Sequence, residues 1–162
     1  MKRFLGILLL LSCALSSCGR EATPMPAAET VLFTLLEESG YGASERWTEV
    51  INETYYDGLG INAEAYASSV RDAVICRPLT DTSGEMICVF RTDSHMAAEA
   101  LAEALYRAFE FPPCDLAEKL TVACVEECVL LVKADAAEAD RISDDFCGLG
   151  RRTTVREKWN RG

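Results

Sequence analysis

The chain has 162 residues, 49% of them hydrophobic, with 26 acidic side chains against 16 basic ones and a net charge of −10. That length suits one domain, and the apolar share is enough for a packed core, which excludes wholesale disorder. The acidic balance argues against nucleic-acid binding, which wants a basic face.

The first segment is an address. Lys2 and Arg3 give a positive start, Phe4 to Leu15 is apolar, and Ser16 and Ser17 precede Cys18. An apolar run of 12 residues falls short of the roughly 20 needed to span hydrocarbon. Its length and flanks fit a leader that is removed. A cysteine directly after two small residues resembles the lipobox of bacterial lipoproteins. That resemblance implies a diacylglyceryl group on Cys18, which becomes the mature N-terminus. A single myristoyl chain binds membranes only reversibly, with a constant of about 10⁴ M⁻¹; two chains on one sulfur give durable anchoring. Loss of Lys2 and Arg3 with the leader takes the net charge from −10 to −12. From Arg151 onward five basic residues stand against one acid, Glu157. The tail is therefore +4 and the rest of the mature chain near −16.

Residues 19–28 carry Pro24 and Pro26 and no apolar period, as a tether would. Val31, Leu32, Leu35 and Leu36 then recur at helical spacing, which predicts a helix over about 28–39. Ser44 is read as the cap of a short helix carrying Trp47, Val50 and Ile51 on one face. Asp57-Gly58-Leu59-Gly60 is turn chemistry, and a further helical turn is expected over Asn62–Ser69. Two apolar runs, Val70–Pro78 and Glu85–Arg91, flank a polar turn and predict a hairpin. Asp93 or Ser94 caps a helix running to about Phe109. The pattern repeats in Leu120–Val125 and Cys128–Lys133 around Glu126-Glu127, followed by a helix capped by Asp135 and stopped by Gly148.

The expected fold is α+β. Two tandem strand–strand–helix units form a four-stranded antiparallel sheet, with helices packed on one face and an N-terminal helix ahead of them. The boundaries read as 1–17 for the leader, 18–28 for the lipidated cysteine and tether, 29–150 for a single α+β domain and 151–162 for a basic C-terminal tail. The tail is read as a solvated, partly frayed terminus, with contact to anionic lipid or a wall polymer, or folding back on the acidic body, as the alternatives.

At this level the chain resembles a family of small Gram-positive bacterial lipoproteins defined by a domain of unknown function. The features that carry the likeness are the lipobox at Cys18, the helix near Leu35 and the Tyr-Gly-Ile-like element from Tyr56 to Ile61. The strand Met86–Phe90 running into Ala97-Ala98-Glu99-Ala100 and the strand Val129–Val132 add to it. The likeness covers roughly residues 28–147 and departs in two places: six cysteines in the domain, and Leu59-Gly60 stretching the tyrosine element. It implies a location and a small α+β fold, and it carries no catalytic residue.

Cys13 leaves with the leader and Cys18 is the anchor, so six cysteines remain: Cys76, Cys88, Cys114, Cys124, Cys128 and Cys147. In an exported chain they permit a disulfide framework. Cys76 and Cys88 are symmetric about Thr82, and Cys124 and Cys128 about Glu126, so each pair is expected to face across its hairpin. Cys114 and Cys147 are then left for each other. The rival reading makes all six buried thiols that act as small hydrophobes.

Nothing else forms a chemical signature. Asp93-Ser94-His95 is consecutive, and triad members must converge from separate positions. Asp140, Asp144 and Asp145 lack an EF-hand's spacing. Cys124 and Cys128 lack two further convergent ligands for zinc. Trp47, Tyr55 and Tyr56 read as core aromatics. The expectation is a non-catalytic interaction domain without cofactor or metal, on the outer face of the bacterial cell membrane. Its partners would be the membrane, through the diacylglyceryl on Cys18, and an unknown protein or wall component, with no nucleic acid. A small solute-binding or sensing lipoprotein is the alternative, and a thiol-based enzyme stands behind it.

Overall fold

The structure is a computed structural model describing residues 25–38, 40, 46–52, 55, 58–62, 69–79 and 84–161. The leader, Cys18, Ser44, Tyr56 and most of the expected turn over Asn62–Ser69 lie outside the described residues. The elements in chain order are α1 (Ala28–Glu38), β1 (Arg46–Val50), β2 (Val70–Pro78), β3 (Met86–Thr92) and α2 (His95–Ala108). β4 (Lys119–Val125), β5 (Cys128–Ala134), α3 (Ala136–Cys147) and β6 (Thr153–Trp159) follow.

The α+β class holds, with six strands where four were expected. All pair antiparallel in the order β1-β2-β3-β5-β4-β6. The two additions come from segments read otherwise. Residues 46–50 form an edge strand instead of a short helix, and the basic tail forms the opposite edge strand instead of fraying.

The expected hairpins and helices are present. Ser94 caps α2, its side chain accepting from the Ala97 N–H, and Asp135 caps α3 by accepting from the Glu138 N–H. In each case a short side-chain acceptor meets an orphan N–H of the first turn. β4 and β5 are buried at every position. Such unbroken burial requires cover on both sheet faces.

Both faces are in fact covered, contrary to the expectation of helices on one. α2 packs through Ala98, Leu101, Ala102 and Leu105 onto Cys88, Phe90, Val122, Val129 and Leu131. α1 and α3 pack onto the opposite face, against Val74, Ile87, Val89, Leu130 and Val132. The cause is topological. β3 runs through α2 to β4, stepping over β5; β5 runs through α3 to β6, stepping over β4. β3 and β5 point in opposite directions, and both steps go the same way across the sheet. Crossovers of this kind share one hand, and two steps of equal hand from opposed strands put their helices on opposite faces.

The sheet therefore has two distinct ends. At the near end lie Val70, Thr92, Val125, Cys128 and Thr153. The chain enters there, because the Ala28 N–H donates to Asp72 Oδ1 at 2.7 Å and pins the start of α1. At the far end lie Pro78, Met86, Lys119, Ala134 and Trp159.

Candidate functional site

The far end carries a cavity. It holds about 200 Å³ and opens to solvent under the C-terminus of α2, between Arg77, Glu85, Met86, Phe109, Glu110 and Lys133. Lys133 is the penultimate residue of β5, and its Nζ donates to Asp115 Oδ2 at 2.5 Å while lying 5.9 Å from the centre of the Phe109 ring. Both partners are buried, with side chains 10% and 2% exposed. The second oxygen of Asp115 accepts from the Ala117 N–H at 3.1 Å. Gly84 is needed beside them: its φ is +69°, and a Cβ there would fall 2.3 Å from Asp115 Oδ1. Arg77, on β2, stacks over the Tyr55 ring at 5.4 Å.

Among the described residues, four of the eight exposed large apolar side chains belong to this same end: Trp47, Leu79, Leu116 and Trp159. Trp47, read as core, is 49% exposed on β1. Tyr55 is partly buried against the α2-side core, as read.

The cysteine pairings do not form. All six domain cysteines are free thiols. In the first hairpin Cys76 stands opposite Ile87 and Cys88 opposite Ile75, one residue away from the expected register. A slip of one residue moves a side chain to the other face. Cys76 accordingly sits in the α1/α3-side core and Cys88 in the α2-side core. The second hairpin repeats the error. Its loop has two residues, closed by Val125 and Cys128, so Cys124 pairs with Val129 and points away from Cys128. Cys114 precedes β4 at the far end, whereas Cys147 closes α3 at the near end, a sheet length away. Burial pushes the thiols of Cys88 and Cys128 up to about 12 and that of Cys124 to about 11, and burial also raises Cys147. Nucleophilic thiols need the opposite shift.

The other candidates resolve into structural roles. His95 Nδ1 meets the Glu126 carbonyl at 2.8 Å, Ser94 caps α2, and Asp93 pairs with Arg71, so the three consecutive residues point apart. Glu85, Asp135 and Glu138 bring carboxylate oxygens within 4.8 Å of one another. Arg46 Nη2 lies 3.2 Å from Glu85 and 3.5 Å from Glu138, so a guanidinium supplies the positive charge a metal would bring. Asp135 is already engaged as the α3 cap.

The basic tail folds back on the acidic body, an alternative that sequence reasoning ranked below a frayed terminus. Lys158 Nζ donates to the Tyr106 and Phe109 carbonyls at 2.8 and 2.7 Å, satisfying orphan acceptors at the end of α2. Arg156 donates to Glu103 at 2.7 Å. The signal was the alternation from Thr153 to Trp159, masked by its charges. Among the described residues no helix is long and apolar enough to cross a membrane. No family model, no curated protein and no solved structure matches the chain.

Proposed function

We propose that this protein is a non-catalytic interaction domain of the cell envelope, tethered by a diacylglyceryl group on Cys18 to the outer face of a bacterial membrane. The observation that carries the reading is polarity. The chain enters at the near end, at Ala28, while Trp47, Leu79, Leu116, Trp159 and the cavity lie at the far end. A tether of nine residues, Gly19 to Ala27, reaches at most about 30 Å at roughly 3.3 Å per residue. It holds the near end toward lipid and leaves the far end for a partner. The far-end cavity, at about 200 Å³, is below the roughly 300–1,000 Å³ of ordinary ligand pockets, so this cavity lends no support to a solute receptor. The raised thiols speak against thiol chemistry.

The test is metabolic labelling with an alkyne fatty acid, followed by cell fractionation and mass spectrometry of the N-terminus. The expected result is a labelled, membrane-bound chain beginning at Cys18, with label and membrane binding both lost in Cys18→Ala. An uncut, unlabelled chain in the soluble fraction would overturn the proposal.

A further inference from the structure

β6 is an open edge, and two backbone bonds tell which of its groups are free. The Arg152 carbonyl accepts from the Glu126 N–H at 3.2 Å, and the Asn160 N–H donates to the Glu118 carbonyl at 2.9 Å. Backbone groups alternate sides along a strand. The even-numbered residues from Arg152 to Asn160 therefore face β4, and Thr153, Val155, Glu157 and Trp159 turn their N–H and C=O groups outward. The tight turn agrees: Val125 pairs with Cys128, which leaves Cys124 to bond Thr154. The side chains of the same four residues project on the α1/α3 side. α3 lies over β4 and β5 there and leaves all four exposed, Val155 at 47% and Trp159 at 52%. Among the described residues no strand pairs with this edge.

A second copy of the chain is a poor occupant. Two-fold antiparallel pairing sets one residue of β6 opposite itself. Centring on Val155 opposes Arg152 to Lys158, centring on Arg156 opposes it to itself, and centring on Glu157 opposes Glu157 to itself and Arg156 to Lys158. Like charges directly opposed are destabilising, and charged edges are how sheets avoid self-pairing. The same charges suit an acidic occupant. Arg152, Arg156 and Lys158 project from one face of the strand, with Arg151 and Arg161 exposed at its two ends. The other face offers Val155 and Trp159.

We propose that the outer edge of β6 takes up an extended segment of a partner protein as a seventh strand, one that alternates acidic and apolar residues. Acidic side chains meet Arg152 and the donors that Arg156 and Lys158 keep beyond their bonds to Glu103 and to the Tyr106 and Phe109 carbonyls, and apolar ones cover Val155 and Trp159. Strand addition draws affinity from main-chain bonds and specificity from alternate side chains. The inference rests on the interaction-domain reading and names its binding edge.

The test uses the full chain in detergent micelles and fluorescence anisotropy of labelled peptides. The probes are a peptide alternating Glu with Val, its Lys–Val counterpart and an oligoglutamate of equal charge. Phosphatidylglycerol vesicles serve as competitor. The Glu–Val peptide is expected to bind, and the other two not. Val155→Pro removes an outward N–H without touching the β4 ladder, and it is expected to weaken binding about tenfold, as loss of one main-chain bond would. Val155→Thr is expected to stay within about twofold, because the backbone bonds persist. Should Val155→Pro not fold, the Glu–Val peptide with N-methyl groups on its bonding face gives the same test on the unaltered chain. Undiminished binding in Val155→Pro or by the methylated peptide, equal binding of oligoglutamate, full competition by vesicles, or no binding at all would each overturn the proposal. None of these readouts depends on Cys18, so acylation and edge binding can fail separately.

Discussion

Removing Asp115 by Asp115→Ala tests the far end most directly. The carboxylate is 2% exposed and holds Lys133, whose own side chain is 10% exposed. Truncation leaves the ammonium beside the Phe109 ring at 5.9 Å, with the cavity as its route to water. Breaking a buried pair from one side costs about 3–5 kcal/mol. Partial access to solvent places Asp115→Ala at the low end, about 3 kcal/mol. Lys133→Met strands a more deeply buried carboxylate that keeps only the Ala117 N–H, and about 4 kcal/mol is expected. The double variant leaves no uncompensated charge, so its cost is that of an imperfectly filled site, about 2 kcal/mol. Urea unfolding followed by circular dichroism measures all three, and the cycle should show coupling of several kcal/mol. If the single costs add to within about 0.5 kcal/mol, the two groups act independently and the far end is not organised by this pair.

Four further outcomes are expected. Burial raises the folded-state pKa values of Cys88, Cys124 and Cys128 to about 12, 11 and 12 from the ordinary thiol value of 9.0. Raised values mean that the folded state keeps protons the unfolded state sheds, so stability is complete below pH 9 and falls as pH rises. Three such groups remove about 4 kcal/mol by pH 10; unfolding at pH 8 and pH 10 measures this, and the loss should shrink in a triple alanine variant. The same burial predicts that, without denaturant, iodoacetamide modifies Cys114 first and leaves Cys76, Cys88, Cys124 and Cys128 unmodified by mass spectrometry; rapid labelling of all six would refute the packing. Lys158→Met should lower stability by about 1–2 kcal/mol, because two helix-end carbonyls lose a charged donor. Gly60→Ala should cost more than about 1 kcal/mol, since φ is +74° and a Cβ would fall 2.8 Å from Ala108 Cβ; thermal melting checks both.

Hairpins and capped helices were legible because their determinants are local. Ser94 and Asp135 announce their helices, and the apolar runs flanking Glu126-Glu127 announce β4 and β5. The cysteine pairings failed on parity. Taking Glu126 as the middle of a three-residue loop, instead of Glu126-Glu127 as a two-residue one, moves Cys124 and Cys128 from one face to opposite faces. Nothing local fixes that count, particularly since Glu126 adopts φ +50° without being glycine. Its backbone and carboxylate are held from outside, by Arg151, Arg152 and His95. β1 and β6 were missed for a related reason. β6 alternates exposed with half-buried positions, β1 mixes the two without strict alternation, and a charged, half-covered strand has the composition of a loop. The far-end site was not legible at all, because Asp115 and Lys133 are 18 residues apart and meet only through the path of the chain across the sheet.

The charge asymmetry of the sequence finds its explanation in that same path. A centre built from β5 and β4 is sealed on both faces and has no room for ions except at the strand ends, where Lys133 and Lys119 sit buried beside carboxylates. The last strand, laid against β4, must therefore present its cations at the edge. Arg156 and Lys158 turn inward to fasten α2, and Arg151 and Arg161 remain in solvent. A tail of +4 on a body of −14 is thus a clamp on one face and a charged edge on the other. Arg152 and the donors that Arg156 and Lys158 keep beyond those bonds set the charge of that edge, and the proposed acidic strand is its complement.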